Sequence, residues 1–299
     1  MKSLFIAFIL LTVMGGSNST TLKPYLLGAE TTGTVISVQT KVIANLKAQG
    51  FKVIGKYNPK WDANRAVICV TCPQLINSAK QIGGLTALAA ALRVGITKEG
   101  SVIKISYTNP FYWGNAYYRD DYPKVEANYK SVFNKFIRAM KASGTYKGHY
   151  FGSVEGVEID DLREYQYMMG MPEFDDVVEL KEFDSYAAAV AKVDANLKKG
   201  GKNFKKVYSV TIPGKNLKLY GIALTGTDGE KLFMPKIDVS NPKHTAFLPY
   251  EILVKGKTVV MLHGRYRIAV AFPDLTMGTF TKIMSAPGDI EDVMTEICE

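Results

Sequence analysis

Apolar positions recur three and four residues apart between Val35 and Gln49. Val35, Val38, Val42, Ile43 and Leu46 share one face, and Lys41, Lys47 and Gln49 lie off it. That spacing predicts an amphipathic helix over 35–49, and Gly50 stands where a helix stop belongs. Pro24 to Glu30 reads as a short strand before it. The period then changes: Phe51 to Tyr57 alternates as a half-buried strand does. Asn58-Pro59 opens a loop containing Trp61 and Asn64. Ala66 to Val70 is almost wholly apolar and predicts a central strand. Pro73 opens a short helix, since proline suits the first helical position, and Gly83-Gly84 breaks it. Leu85 to Leu92 reads as a buried segment. Val94–Thr97 and Val102–Tyr107 flank Lys98-Glu99-Gly100, a hairpin turn. Lys124 to Met140 is a second amphipathic helix with Val125, Tyr129, Val132, Phe133, Phe136, Ile137 and Met140 on its apolar face. Ser143 to Gly156 reads as a loop. Asp160 reads as the N-cap of a short helix that runs through Tyr167 and ends at Met168–Pro172.

The second half repeats this order. Ile43-Ala-Asn-Leu-Lys47 recurs as Asp194-Ala-Asn-Leu-Lys198, again just before glycine. Phe51–Tyr57 corresponds to Phe204–Val210, and Arg65–Cys72 to Leu217–Leu224. The hairpin Arg93–Tyr107 corresponds to Glu251–His263, with Lys255-Gly256-Lys257 as its turn. A repeat of this kind predicts two related units. We expect an α+β protein whose domains each hold a small antiparallel sheet with helices packed on it. The expected divisions are a first domain over 20–123, a connecting helix and loop over 124–172, and a second domain over 173–299.

Composition narrows the class. Apolar content of 47% and charged content of 22% over 299 residues supply a core and exclude disorder. The formal net charge of +9 would suit an anionic partner. The lysines are nevertheless scattered in ones and twos, which points away from nucleic acid. Lys2, the apolar run Leu4–Val13 and the small residues that follow form the pattern of a secretory signal over 1–19. The run is too short to span a bilayer, which needs about 20 apolar residues. The expectation is an exported protein, periplasmic or extracellular, with no transmembrane anchor in the mature chain. Its partner would be a small ligand or an envelope protein that the sequence does not identify.

Several residues could carry chemistry. Cys69-Val-Thr-Cys72-Pro73 places one thiol at a strand end and the other at a helix N-cap, where amides and the dipole favour thiolate. This is the logic of a redox pair or of two ligands to a thiophilic metal. A buried structural Cys69 with a capping Cys72, or a plain disulfide between them, fits the same spacing, and Cys298 leaves an odd thiol. Tyr107, Asn109, Tyr112, Trp113 and Asn115, with Phe111, Tyr117, Tyr118 and Arg119, could line a pocket for a flat or sugar-like ligand. They could equally pack the sheet against the 124–140 helix. Met168, Met169 and Met171 with His149 have the softness for copper(I) but also the character of core filler. His263 could act as a base with Asp274, although no nucleophile motif accompanies it. Glu155, Glu158, Asp160 and Asp161 lack calcium-loop spacing. No phosphate-cradling glycine loop or complete catalytic constellation is present, and the residues leave any cofactor unknown.

The first half resembles a known family. The helix ending Leu46-Lys-Ala-Gln-Gly-Phe51, the strand Val67–Val70, Cys72-Pro73-Gln74-Leu75 and the hairpin ending Ser106-Tyr107-Thr108-Asn109-Pro110 resemble the domain of unknown function 302 family. Cys72-Pro73-Gln74-Leu75 stands where that family usually has Asn-Pro-Lys-Leu. The second half keeps Leu248-Pro249 but has His263-Gly264-Arg265-Tyr266 in place of the Asn-Pro ending. Tyr165–Pro172 looks like a signature of longer, exported members. The resemblance implies a small α+β fold with an antiparallel sheet, and it implies no activity. The residues therefore lead to non-enzymatic binding of a small ligand or partner, with thiol redox or metal handling by Cys69 and Cys72 as the alternative.

Overall fold

The computed structural model describes residues 20–299, and the signal-like segment lies outside them. The chain runs through β1 (Thr21–Leu22), β2 (Tyr25–Thr31), α1 (Val35–Ala48), β3 (Lys52–Tyr57), β4 (Arg65–Thr71) and α2 (Pro73–Ile82). A 3-10 segment (Gly84–Ala90) leads to β5 (Leu92–Glu99), β6 (Val102–Thr108), α3 (Pro110–Tyr118) and α4 (Glu126–Ser143). β7 (Thr145–Phe151), β8 (Val157–Glu158) and α5 (Ile159–Arg163) follow. The second half holds β9 (Val177–Glu182), α6 (Tyr186–Lys199), β10 (Phe204–Ile212), β11 (Leu217–Leu224), α7 (Glu230–Ile237) and a 3-10 segment (Thr245–Phe247). It closes with β12 (Tyr250–Lys255), β13 (Thr258–Leu262), α8 (Gly264–Ala271), α9 (Met277–Phe280) and α10 (Ala286–Cys298).

The two halves are related domains. One sheet has the order β3-β4-β5-β6-β2 with β7 added beyond β2; the other has the order β10-β11-β12-β13-β9. Every pairing in both is antiparallel. The repeated Ala-Asn-Leu-Lys motif performs the same work twice. Leu46 and Leu197 are buried beneath their sheets, a contribution of about 1.5–3 kcal/mol each. Asn45 donates to Ser143 Oγ at 3.0 Å, and Asn196 donates to the Ile297 carbonyl at 2.8 Å. Each asparagine thus ties its helix to the end of the domain's closing helix, α4 or α10. Both motif helices stop at a glycine with positive φ, Gly50 and Gly200, where a side chain would be strained.

Three expectations are corrected. Ser143–Gly156 is not a loop throughout, because β7 pairs with β2 from Tyr25 opposite Phe151 to Glu30 opposite Thr145. It is an outer strand of tyrosine, lysine and histidine with little apolar signal. The short helix spans Ile159–Arg163 and is capped at Glu158, with Asp160 inside its first turn. The helix placed in the 124–172 connector packs on α1 and β2, so it completes the first domain's core.

The domains exchange their 3-10 segments. Gly84–Ala90 of the first packs on β11 and β12 of the second, and Thr245–Phe247 of the second packs on β4, β5 and β6 of the first. This contact is isologous, as in a two-fold dimer. Continuing the hairpin registers, Arg93 lies opposite Thr108 and Glu251 opposite Leu262, each just before a helix cap. These equivalent residues form a buried ion pair across the junction. Trp113 and Arg267, each four residues after its cap, also meet, with the guanidinium 5.3 Å from the ring centre.

Candidate functional site

A cavity of about 340 Å³ opens between the domains. Lys23 and the His149–Val154 segment supply one wall; Ile237, Val239–Pro242, His244 and Phe272 with Asp274–Thr276 supply most of the other. Its apolar surface comes from Phe151, Ile237, Phe272 and Leu275. His244 reaches this wall because it opens the 3-10 segment that crosses onto the first sheet. The ring is held on three sides by aromatics: Phe272 at 4.5 Å, Tyr25 at 5.1 Å and Phe151 at 5.7 Å between centroids.

The two nitrogens of His244 have different environments. Nδ1 lies 3.0 Å from Asp238 Oδ1 and 3.1 Å from Ser240 Oγ. Nε2 is buried without a partner. It faces Gly152 in the cavity wall, where an added Cβ would stand 3.3 Å from it. Asp238 also accepts from the His244 backbone amide at 2.8 Å. Arg65 reaches across from β4 to bind its other oxygen and donates to Thr245 Oγ1 at 3.2 Å. Burial would raise the Asp238 carboxyl, but His244 and Arg65 outweigh it and hold the group below the usual carboxylate range. An anchored carboxylate fixes the proton of a neutral imidazole on Nδ1 and leaves Nε2 as a hydrogen-bond acceptor.

Asp274 lies on the same cavity but is engaged elsewhere. It accepts from Ser153 Oγ at 2.8 Å and from the Val154 amide at 2.6 Å, which fixes the turn carrying Phe151 and Gly152. His263 caps α8 by accepting from the Arg265 amide at 3.2 Å. Burial, then Arg265, pushes its pKa down. The His263–Asp274 pair is not brought together.

The thiols are placed otherwise than the N-cap reading expects. Cys72 does cap α2, and the amides of Leu75 and Gln74 favour its thiolate, yet burial outweighs them and raises its pKa. Burial pushes Cys69 up to about 12. Cys69, Cys72 and Cys298 are all free and buried. Among the described residues no group of three or more His, Cys, Asp or Glu could hold a metal. Met169 is 96% exposed, so the methionines do not converge with His149 on one site.

The aromatic candidates are core. Tyr107 stacks on Phe136 at 4.7 Å, Tyr112 donates to the Val270 carbonyl at 2.7 Å, and Trp113 donates to the Pro24 carbonyl at 3.0 Å. Asn109 caps α3 through the Phe111 amide, and Asn115 accepts from Arg163 at 2.9 Å. None of the five lines the cavity. They pack α3 between the sheet, α4 and the second domain. Sequence reading missed Asp238, His244, Arg65, Phe151 and Phe272. With three histidines in the chain, a histidine six residues after an aspartate in a proline-containing loop was the available signal.

No helix among the described residues is long and apolar enough to cross a membrane. No protein-family model matches the chain, and no curated protein matches it. The fold is similar to a solved structure, the crystal structure of uncharacterized conserved protein DUF302 from Bacillus stearothermophilus, at 12% sequence identity and a TM-score of 0.35. The match covers 40% of this chain and 97% of that chain.

Proposed function

We propose that this is an exported, non-enzymatic binding protein whose ligand occupies the cavity between the two domains. The ligand is a small apolar molecule that offers one hydroxyl or N–H donor. The observation that carries this reading is the unpartnered Nε2 of His244, buried beside Gly152 in the wall of a cavity of mixed polar and apolar lining and oriented by Asp238. A buried acceptor without a partner costs about 1–3 kcal/mol, and a ligand donor would recover it. The run Leu4–Val13 supports the exported setting.

Phenol and toluene test the pairing, because they share a ring and differ in the donor. In calorimetric titrations phenol should bind about tenfold more tightly than toluene, as expected for one hydrogen bond to a desolvated acceptor. His244→Leu should remove that difference while leaving toluene binding in place. Equal affinity for both compounds in the native protein, or no binding of either, would refute the proposal.

A further inference from the structure

A second cavity, of about 600 Å³, lies at another part of the domain junction, where the outer strands β3 and β10 meet side by side. Four lysines line it: Lys56 and Lys60 from the first domain, and Lys205 and Lys231 from the second. Among the described residues none of the four has an ion-pair partner within the salt-bridge distance. Four uncompensated ammonium groups around one opening make a strongly positive mouth.

The floor and wall have a different character. Glu230 is buried at the cavity's inner end. Its Oε1 accepts from Tyr57 Oη at 3.1 Å and from the Leu224 amide at 3.1 Å. Its Oε2 has only the long contact from Trp61 Nε1 at 3.4 Å, so that oxygen, once the carboxyl is ionised, keeps acceptor capacity for a ligand N–H. Trp61 and Tyr57 supply flat aromatic surface. Trp61 carries the Arg65 guanidinium 4.8 Å from its ring centre, which fixes the indole and makes it a rigid platform.

From this arrangement we propose that the Lys56–Lys60–Lys205–Lys231 cavity binds a heteroaromatic phosphate of nucleotide type. The ring lies against Trp61, an amine of the ring donates to Glu230 Oε2, and the phosphoryl group sits among the lysines. The excess of three or four positive charges over the carboxyl of Glu230 favours a phosphoryl dianion over a single carboxylate. Stacking on Trp61 accounts for a ring, and the spare oxygen of Glu230 accounts for an amine on it. This site shares no lining residue with the His244 cavity and does not rest on the reading given for it.

The probes are AMP, adenosine, which lacks the charge, and inorganic phosphate, which lacks the ring. The readouts are calorimetry and tryptophan fluorescence. The other tryptophan, Trp113, is buried in the core, so quenching on titration reports Trp61. AMP should bind saturably and quench, and adenosine and phosphate should each bind at least about tenfold more weakly. Lys205→Glu with Lys231→Glu should abolish AMP binding without lowering the melting temperature, because both side chains are exposed. Three results would overturn the proposal: no saturable AMP binding, AMP affinity unchanged in the charge-reversed variant, or phosphate binding as tightly as AMP.

Discussion

Replacing Glu251 with alanine removes the carboxylate that lies between two buried guanidinium groups. Arg93 pairs with it from the first domain, and Arg267 approaches its other oxygen at 3.8 Å. All three side chains are almost fully buried. Tyr208 donates to Oε1 at 2.7 Å and loses its acceptor as well. Stripping one partner from a buried ion pair costs about 3–5 kcal/mol, because the remaining charge is desolvated without compensation. The orphaned tyrosine adds about 1 kcal/mol. Arg267 is partly cushioned by the faces of Phe247 and Trp113, so the uncompensated charge falls mainly on Arg93. A loss near 4–5 kcal/mol is a large part of the 5–15 kcal/mol that holds an ordinary protein folded. Urea unfolding followed by fluorescence should show the midpoint falling by about a quarter or more. The double variant Arg93→Met with Glu251→Met removes both charges and should recover most of the loss, leaving about 1–2 kcal/mol for Tyr208 and imperfect packing. A single variant that costs under about 1 kcal/mol, or a double variant no more stable than the single, would refute the assignment of this pair as the electrostatic centre of the junction.

Three further outcomes follow from the same physical chemistry. Burial raises Glu230 to about 7, so the native state keeps a proton that the unfolded chain releases near pH 4.5. The contribution of Glu230 to stability should therefore be fully present below that value and fall by up to about 3 kcal/mol as pH rises toward 7; Glu230→Gln should abolish that part of the slope, and an identical slope in both proteins would contradict it. Ellman's reagent should detect none of the three cysteines in the native protein and all of them in denaturant, since each thiol is buried and its pKa raised; fast labelling of the native protein would restore the redox reading. Gly95→Val puts a β-branched residue, normally favoured in a strand, where a Cβ would stand 2.7 Å from the Ala246 backbone nitrogen. It should cost about 1–3 kcal/mol by pushing the 3-10 segment Thr245–Phe247 off the first sheet, whereas a neutral effect in thermal unfolding would argue against that contact.

The residues disclosed the fold further than the site. The Val35–Gln49 periodicity, the apolar run Ala66–Val70 and the hairpin at Lys98-Glu99-Gly100 all report local burial, and local burial is what a sequence pattern records. The repeat showed itself through Ala-Asn-Leu-Lys before glycine, a motif held by packing within one domain. β7 escaped notice because an outer strand of Tyr, Lys and His has no apolar stripe to mark it. The His244 cavity escaped for another reason. Arg65 and Asp238 are far apart in sequence and meet only because the domains exchange their 3-10 segments. The aromatic residues after Asn109 drew attention by density, yet density of large side chains marks core as readily as pocket. Cys72 shows the same limit: its helix-cap position is visible in Pro73, but its burial depends on the sheet and on α4, and burial decides its chemistry.

The nitrogen resonances of the His244 ring, recorded with and without phenol at pH 8.5, test the central claim most directly. Assignment would come from His244→Gln. The geometry predicts the Nδ1–H tautomer, an unprotonated Nε2, and a shift of the Nε2 signal as phenol is added. An Nε2–H tautomer, or an Nε2 signal that stays in place through saturating phenol, would contradict a cavity in which Asp238 prepares His244 to receive a donor.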